Sequence, residues 1–206
     1  MVRTARFTAE HFIDAAVVLV AEGGPGAATM QAIARRVGAP TGSIYHRFES
    51  RSAILGAAWN AGYGSLAAVL VPLLQAGRAR EAALALLPWV AEDRNRARFL
   101  LLHEPVALFE DAPPPEPLRQ EMQRLEDGMD QAFRACVARS GGGALRDEDL
   151  ARARFLVFDG PIAILRPHLL AQGAVPAFAG RMIAELHAGV PLAGAGCRAA
   201  AGPQAA

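Results

Sequence analysis

Apolar side chains along this chain recur mostly at helical spacing. Phe12, Ala16 and Leu19 fall at i, i+4 and i+7, which predicts a helix from Thr8 to Ala21 with Thr8 as its N-cap and the run Glu22 to Gly26 (EGGPG) as its stop. Thr29 offers a second cap. Met30, Ile33, Ala34 and Val37 form the stripe of a short helix that Gly38 ends, Ala39-Pro40 makes a turn, with Pro40 acceptable at a first helical position, and Thr41 to Phe48 reads as a third, very short helix. Only Ile44 and Phe48 lie on its apolar face, so its remaining side chains are free to point outward.

Beyond Ser50 the periods lengthen. A helix is expected from Ser52 to about Leu74, irregular at Gly62 and Gly64, with others near 80–91 and 95–109. Ala112 to Pro117 (APPPEP) breaks the chain. Leu118, Met122, Leu125, Met129, Ala132 and Cys136 then step by 4, 3, 4, 3, 4 along a long amphipathic helix that ends at Ser140 to Gly143. Asp147 to Ala171 reads as one helix with a seam at Phe155, Phe158, Ile162, Leu165 and Leu169, kinked by Pro161 and Pro167. Phe178, Met182 and Leu186 mark a last helix, and an Ala/Gly/Pro-rich tail is expected to be disordered. There are no internal repeats. The expected architecture is all-α, with a helix-turn-helix domain over 1–55, a helical bundle over 56–191 and the tail over 192–206.

Composition agrees. Of 206 residues, 52% are apolar and only 6% aromatic, enough apolar material for a core and too few aromatics to favour strands. All 21 basic residues are Arg. A chain without Lys is excluded from P-loop nucleotide hydrolysis, from an internal pyridoxal-phosphate Schiff base and from any other Lys nucleophile. Cys136 and Cys197 lie far apart, which fits neither a zinc site nor a disulfide framework and suggests a reducing compartment. No signal peptide is read at the N-terminus, and no unbroken apolar run approaches the roughly 18 residues of a membrane span. The expectation is a cytoplasmic protein with no membrane partner, no cofactor and no metal. His103-Glu104 begins like a zinc-protease motif, but Pro105 follows and no second His does; Ser140 to Leu145 (SGGGAL) lacks the third Gly of a dinucleotide fingerprint.

The segment Thr29 to Leu55 carries the functional information. Two short helices joined by a Gly-containing turn match a helix-turn-helix, in which the first helix braces a second that enters the major groove. Thr41, Gly42, Ser43, Tyr45 and His46 supply small and hydrogen-bonding groups on that second helix, and Arg35, Arg36, Arg47 and Arg51 lie around it. Met1 to Leu55 holds six Arg against four acids, whereas the remainder holds fifteen against sixteen. The sign suits DNA, but the asymmetry is weak.

The register of Thr29, Ile33-Ala34, Gly38, Gly42, Ile44-Tyr45, Phe48, Arg51 and Leu55 resembles the tetracycline-repressor (TetR-like) family of bacterial transcription regulators, over about residues 8–55. The resemblance implies an all-α homodimer whose three N-terminal helices bind operator DNA and whose larger domain binds a small effector. It also implies that Thr29, Tyr45 and His46 touch phosphates and that Thr41, Gly42 and Ser43 face bases. Arg51 stands where the family usually has Lys, as a phosphate contact of altered geometry, and Pro40 stands where a Ser cap is common. Trp59, Trp89, Phe99, His103, Met122, Phe155, Phe158 and Asp159 are candidates to line an effector cavity, with His103 and Asp159 as its polar groups. The expected function is a repressor released from DNA by a small molecule; the alternative is a helical-bundle ligand carrier or enzyme with no DNA-binding role, which would need an acid/base or metal cluster that the sequence does not offer.

Overall fold

The computed structural model describes residues 7–140, 146–171, 173–189 and 192, and every described element is helical. Helix α1 (Ala9–Gly23) opens with a reciprocal cap: the Thr8 hydroxyl accepts from the His11 N–H, and the Thr8 N–H donates to His11 Nδ1 at 3.2 Å. A single 3-10 turn (Pro25–Ala27) leads to α2 (Met30–Val37), capped by Thr29. Gly38, at φ 72°, closes α2, and the Ala39 N–H returns to the Ala34 carbonyl at 3.0 Å; that left-handed backbone is why glycine stands there.

Helix α3 (Thr41–Tyr45) is three residues shorter than expected. The Arg47 and Phe48 N–H groups both fold back onto the Ile44 carbonyl, and Ser50 then caps α4 (Arg51–Gln75), so the chain turns before another helical turn can form. Pro40 is the residue before α3 rather than its first, and it supplies no side-chain cap.

Helix α4 is continuous through Gly62 and Gly64, where irregularity was expected. A Cβ at Gly62 would lie 3.5 Å from Arg96 Cγ, an ordinary contact, so the crossing of α4 with α6 leaves room for a methyl there. Uncharged from Ser52 to Gly77, α4 is long and apolar enough by length and composition to cross a membrane, which corrects the expectation drawn from unbroken runs. Half of its most apolar window is buried, as in a core helix, and α4 packs against α8, α1 and α5.

Helices α5 (Ala79–Glu92) and α6 (Arg94–Leu102) follow. The helix expected over 95–109 is split, because Pro105 forces Glu104 into extended backbone (ψ 152°), and a separate turn α7 (Pro105–Leu108) restarts after it. Helix α8 (Glu116–Ser140) follows the proline-rich break. The single helix expected over 147–171 is divided as well: α9 (Asp147–Arg154), a π turn (Phe155–Asp159) and α10 (Gly160–Leu170), before α11 (Ala177–Leu186). Pro161 has no N–H to continue the ladder, and the π turn immediately before it takes up the mismatch. Its extra residue breaks the proposed seam: Leu165 and Leu169 are fully buried within the chain, while Phe155 turns out to 51% exposure. The expected end of α8 beyond Ser140, Cys197 and all of the tail but Leu192 lie outside the described residues.

The core is continuous from the three N-terminal helices into the bundle. Helix α1 packs as extensively against α6 as against α2, so the two halves share a wall.

Candidate nucleic-acid interface and ligand cavity

Ile44 is the buried pin of α3, packed with Ile33 and Ala34 of α2. That anchoring turns Thr41, Gly42, Tyr45 and His46 outward; Tyr45 is 55% exposed, and Ser43 is half-buried. A Cβ at Gly42 would meet nothing within 4 Å, and its backbone is not left-handed, so nothing among the described residues requires glycine there. Thr29 is exposed, and its oxygen caps α2 by accepting from the Ala32 N–H at 3.1 Å, which leaves its hydroxyl proton free to donate.

The four arginines around α3 divide into two pairs. Arg36 is held by a two-pronged ion pair with Glu22 of α1, at 2.8 and 3.2 Å. Arg51, read from the sequence as a phosphate contact, is turned inward instead. Its guanidinium donates to the carbonyls of Pro25 (2.6 Å), Ala28 (3.1 Å) and Leu108 (3.3 Å) and to the Asp111 carboxylate (3.0 Å). The Ala28 and Leu108 carbonyls stand at the ends of two one-turn helices, where backbone acceptors lack a helical donor, the Pro25 carbonyl shares its acceptor with the Ala28 N–H, and a five-donor guanidinium can satisfy several at once. The side chains of Arg35 and Arg47 remain exposed, with no hydrogen bond or ion pair among the described residues. The sequence shows four equivalent cations there; only the tertiary partners separate them.

A cavity of about 450 Å³ opens between α4, α6, α8 and the π turn. One face of each helix lines it: Trp59, Tyr63 and Leu66 from α4; Glu126, Met129, Asp130 and Phe133 from α8; Leu100 and Leu101 from α6; and Phe158 and Ile162 around the π turn. Pro105, Arg154 and Asp159 complete it. Of the expected lining residues it gathers Trp59, Phe158 and Asp159. The other five do not line it. The Trp89 N–H is taken by the Ser65 hydroxyl at 3.1 Å, Phe99 is fully buried behind Trp59, and Met122 lies one turn beyond the lined stretch of α8. Phe155 is rotated out by the π turn, and His103 sits beyond the end of α6, its pKa lowered by burial and by Arg98 and Arg166. Tyr63, Glu126 and Phe133 went unrecognised in the sequence. The spacing of 59, 63 and 66 and of 126, 129, 130 and 133 marks one face on each helix, but not that the two faces meet.

Burial, reinforced by Glu126 and Asp130, pushes the Tyr63 phenol up to about 12, so it is neutral at any physiological pH. Burial and the neighbouring Asp127 raise the Glu126 carboxyl as well.

A helix-turn-helix with an outward polar face, carried on an all-helical bundle with a cavity, is the arrangement with which DNA-binding proteins present a recognition helix to the major groove. Residues 12–58 match the bacterial regulatory proteins of the tetR family. The match spans the helix-turn-helix segment, and beyond it the chain shares the all-helical fold of solved tetR-family structures. No curated protein sequence matches the chain. Among solved structures it is similar to a TetR-family transcriptional regulator, PfmR of Thermus thermophilus (TM-score 0.65, 17% identity, covering 89% of this chain and 97% of that one). It is similar also to the transcriptional regulator FadR of Bacillus subtilis in complex with stearoyl-CoA (TM-score 0.63, 18% identity, 89% and 100%). The fatty acid degradation regulator FadR of Bacillus halodurans is a further likeness (TM-score 0.60, 18% identity, 89% and 100%).

Proposed function

We propose that the chain is a homodimeric repressor that reads a pseudo-palindromic operator with α3 and lets go when a small molecule enters the cavity between α4 and α8. The observation that carries the DNA reading is Gly42: it is exposed, with open space around it, so the close approach it permits is that of a partner outside the chain. Thr41, Gly42 and Ser43 then face base edges, and Thr29, Tyr45 and His46 contact phosphate. The free cations Arg35 and Arg47 take the electrostatic role first assigned to Arg51. A regulator of this kind acts on the chromosome, hence in the cytoplasm.

The response to a ligand follows from shared elements. Pro105 lines the cavity and opens α7; three residues on, the Leu108 carbonyl is held by Arg51, which also grips Pro25 and Ala28 beside the DNA-binding helices. A ligand that displaces α7 or α6 pulls on Arg51 and on α1, changing the separation of the two recognition helices in the dimer. The division at residue 55 is accordingly one of roles, since α4 begins the DNA-binding side and ends deep in the bundle.

The dimer surface lies on the outer side of the last two helices. Leu170, Phe178 and Met182 are 59%, 45% and 44% exposed there, a large apolar share for one face of a small protein. Pairing that face about a two-fold axis buries it on both copies. Selection of duplexes from a random pool by the purified protein tests the reading. Recovered sequences should carry two inverted half-sites roughly 34–36 Å apart; a pool with no enriched motif would reject it.

A further inference from the structure

We propose that the cavity takes a lipophilic organic cation, its charge set against Glu126 and its apolar body between the Trp59–Tyr63 and Phe133–Phe158 ring pairs. This names the ligand chemistry of the effector cavity and rests on that reading of it.

The walls are aromatic on both sides. Trp59 and Tyr63 stack with centroids 6.3 Å apart and planes at 23°, and Phe133 and Phe158 meet at 5.5 Å. Ring faces attract a poorly hydrated cation, most strongly where water is excluded. The volume of about 450 Å³ lies within the roughly 300–1,000 Å³ range of small-molecule sites.

The charges select the sign. Four ionisable side chains that carry charge line the cavity, and three of them have partners. Asp130 is paired with Arg134 at 2.6 Å, and Arg154 with Asp159 at 3.9 Å. Glu126 alone has no hydrogen bond or ion pair among the described residues, although it is half-buried. A carboxylate left in an apolar setting without a partner is a cost that a matching charge removes. A neutral ligand would seal Glu126 off from water, and an anionic one would add a second negative charge beside it. Trp59, only 6% exposed, holds its indole N–H buried with no acceptor among the described residues; a donor of this kind does not discriminate in favour of a cation, so the sign rests on Glu126. Arg98 and Arg166, which act on His103, are not in the lining, and among the described residues no basic side chain but the paired Arg154 lines the cavity to receive an acidic headgroup.

The test uses two ions of nearly the same shape and opposite charge, tetraphenylphosphonium and tetraphenylborate, titrated calorimetrically into the full-length protein, with stearoyl-CoA as a third ligand. The phosphonium should bind at least tenfold more tightly than the borate. Glu126→Gln should lose at least tenfold in phosphonium affinity while its borate affinity rises or holds, and thermal melting of the variant reports that it is folded. Glu126→Asp, which keeps the charge, should retain most of the phosphonium affinity. Preference for the borate, no binding of the phosphonium, tighter binding of stearoyl-CoA than of the phosphonium, or indifference to Glu126→Gln would each overturn the inference. Sequence-selective DNA binding measured on the same preparation separates the two failures: if it is present while the phosphonium does not bind, only the ligand class is wrong; if it is absent, the regulator reading fails.

Discussion

The guanidinium of Arg51 donates to the carboxylate of Asp111 at 3.0 Å, across sixty residues of sequence. With its bonds to Pro25, Ala28 and Leu108, this contact fastens the first residue of α4 both to the turn before α2 and to the end of α7. Arg51→Ala should therefore lower stability by about 2 kcal/mol or more, since charged hydrogen bonds are worth roughly 1.5–3 kcal/mol each and do not add. Arg51→Lys should rescue little of it, because an ammonium cannot fork to several carbonyls. Chemical denaturation reads both; an Arg51→Ala variant of unchanged stability with a uniformly weakened hold on all duplexes would return Arg51 to the phosphate backbone.

Gly42→Ala separates folding from binding. The added methyl meets empty space in a right-handed helix, so stability should hold or rise by about 0.5–1 kcal/mol. Affinity for the selected operator should fall at least tenfold, because the methyl stands where the DNA approaches. Tyr45→Ala should behave similarly without the stabilisation. Melting curves and operator titrations of both variants check this, and intact affinity in both would remove α3 from the interface.

The apolar face of the last helices predicts the assembly. Phe178→Asp with Met182→Arg places charges on that exposed surface without disturbing the core. Sedimentation should show monomers that retain helicity and bind operator weakly. Leu169, by contrast, is fully buried inside the chain, so Leu169→Asp should unfold the protein rather than merely split it.

Glu126 sets a pH dependence. Its carboxyl is raised by burial and by Asp127, so its charged form is disfavoured in the folded state. Stability contributed by a carboxyl of raised pKa is present below its unfolded value and lost as pH climbs through the folded one. Glu126→Gln should thus raise the melting temperature of the unliganded protein near pH 7, and the gain should vanish under acid. Phosphonium affinity should fall as the pH drops through the Glu126 titration. Tyr63 stays neutral across that range, and Asp127, Asp130, Asp159, Arg134 and Arg154 are the other charges in the surroundings. Melting curves at pH 4 and pH 7 that show the same difference between variant and parent would contradict the assignment.

The DNA-binding half was largely legible because its signals are local. Thr8, Thr29 and Gly38 act on backbone within a few residues of themselves, and all three perform the capping roles their spacing suggested. Arg51 was not legible, because its partners lie 23 to 60 residues away and nothing in a lone arginine separates a phosphate contact from a bridge between carbonyls. The cavity was half legible for a similar reason. Trp59, Phe158 and Asp159 stand out by type, while Glu126 matters through what α8 faces. The seam through Phe155 and Leu169 failed because a count by 3.6 cannot anticipate the extra residue of a π turn ahead of Pro161.

The central claim, that α3 reads DNA in a sequence-dependent way, is tested most directly by fluorescence anisotropy of the selected duplex against a scrambled one, from about 50 to 200 mM salt. The account predicts binding to both that weakens steeply and log-linearly with salt, with the selected duplex favoured by roughly three orders of magnitude or more and Gly42→Ala losing chiefly that preference. Equal affinity for the two duplexes across the salt range, or a parent protein that binds neither, would contradict it.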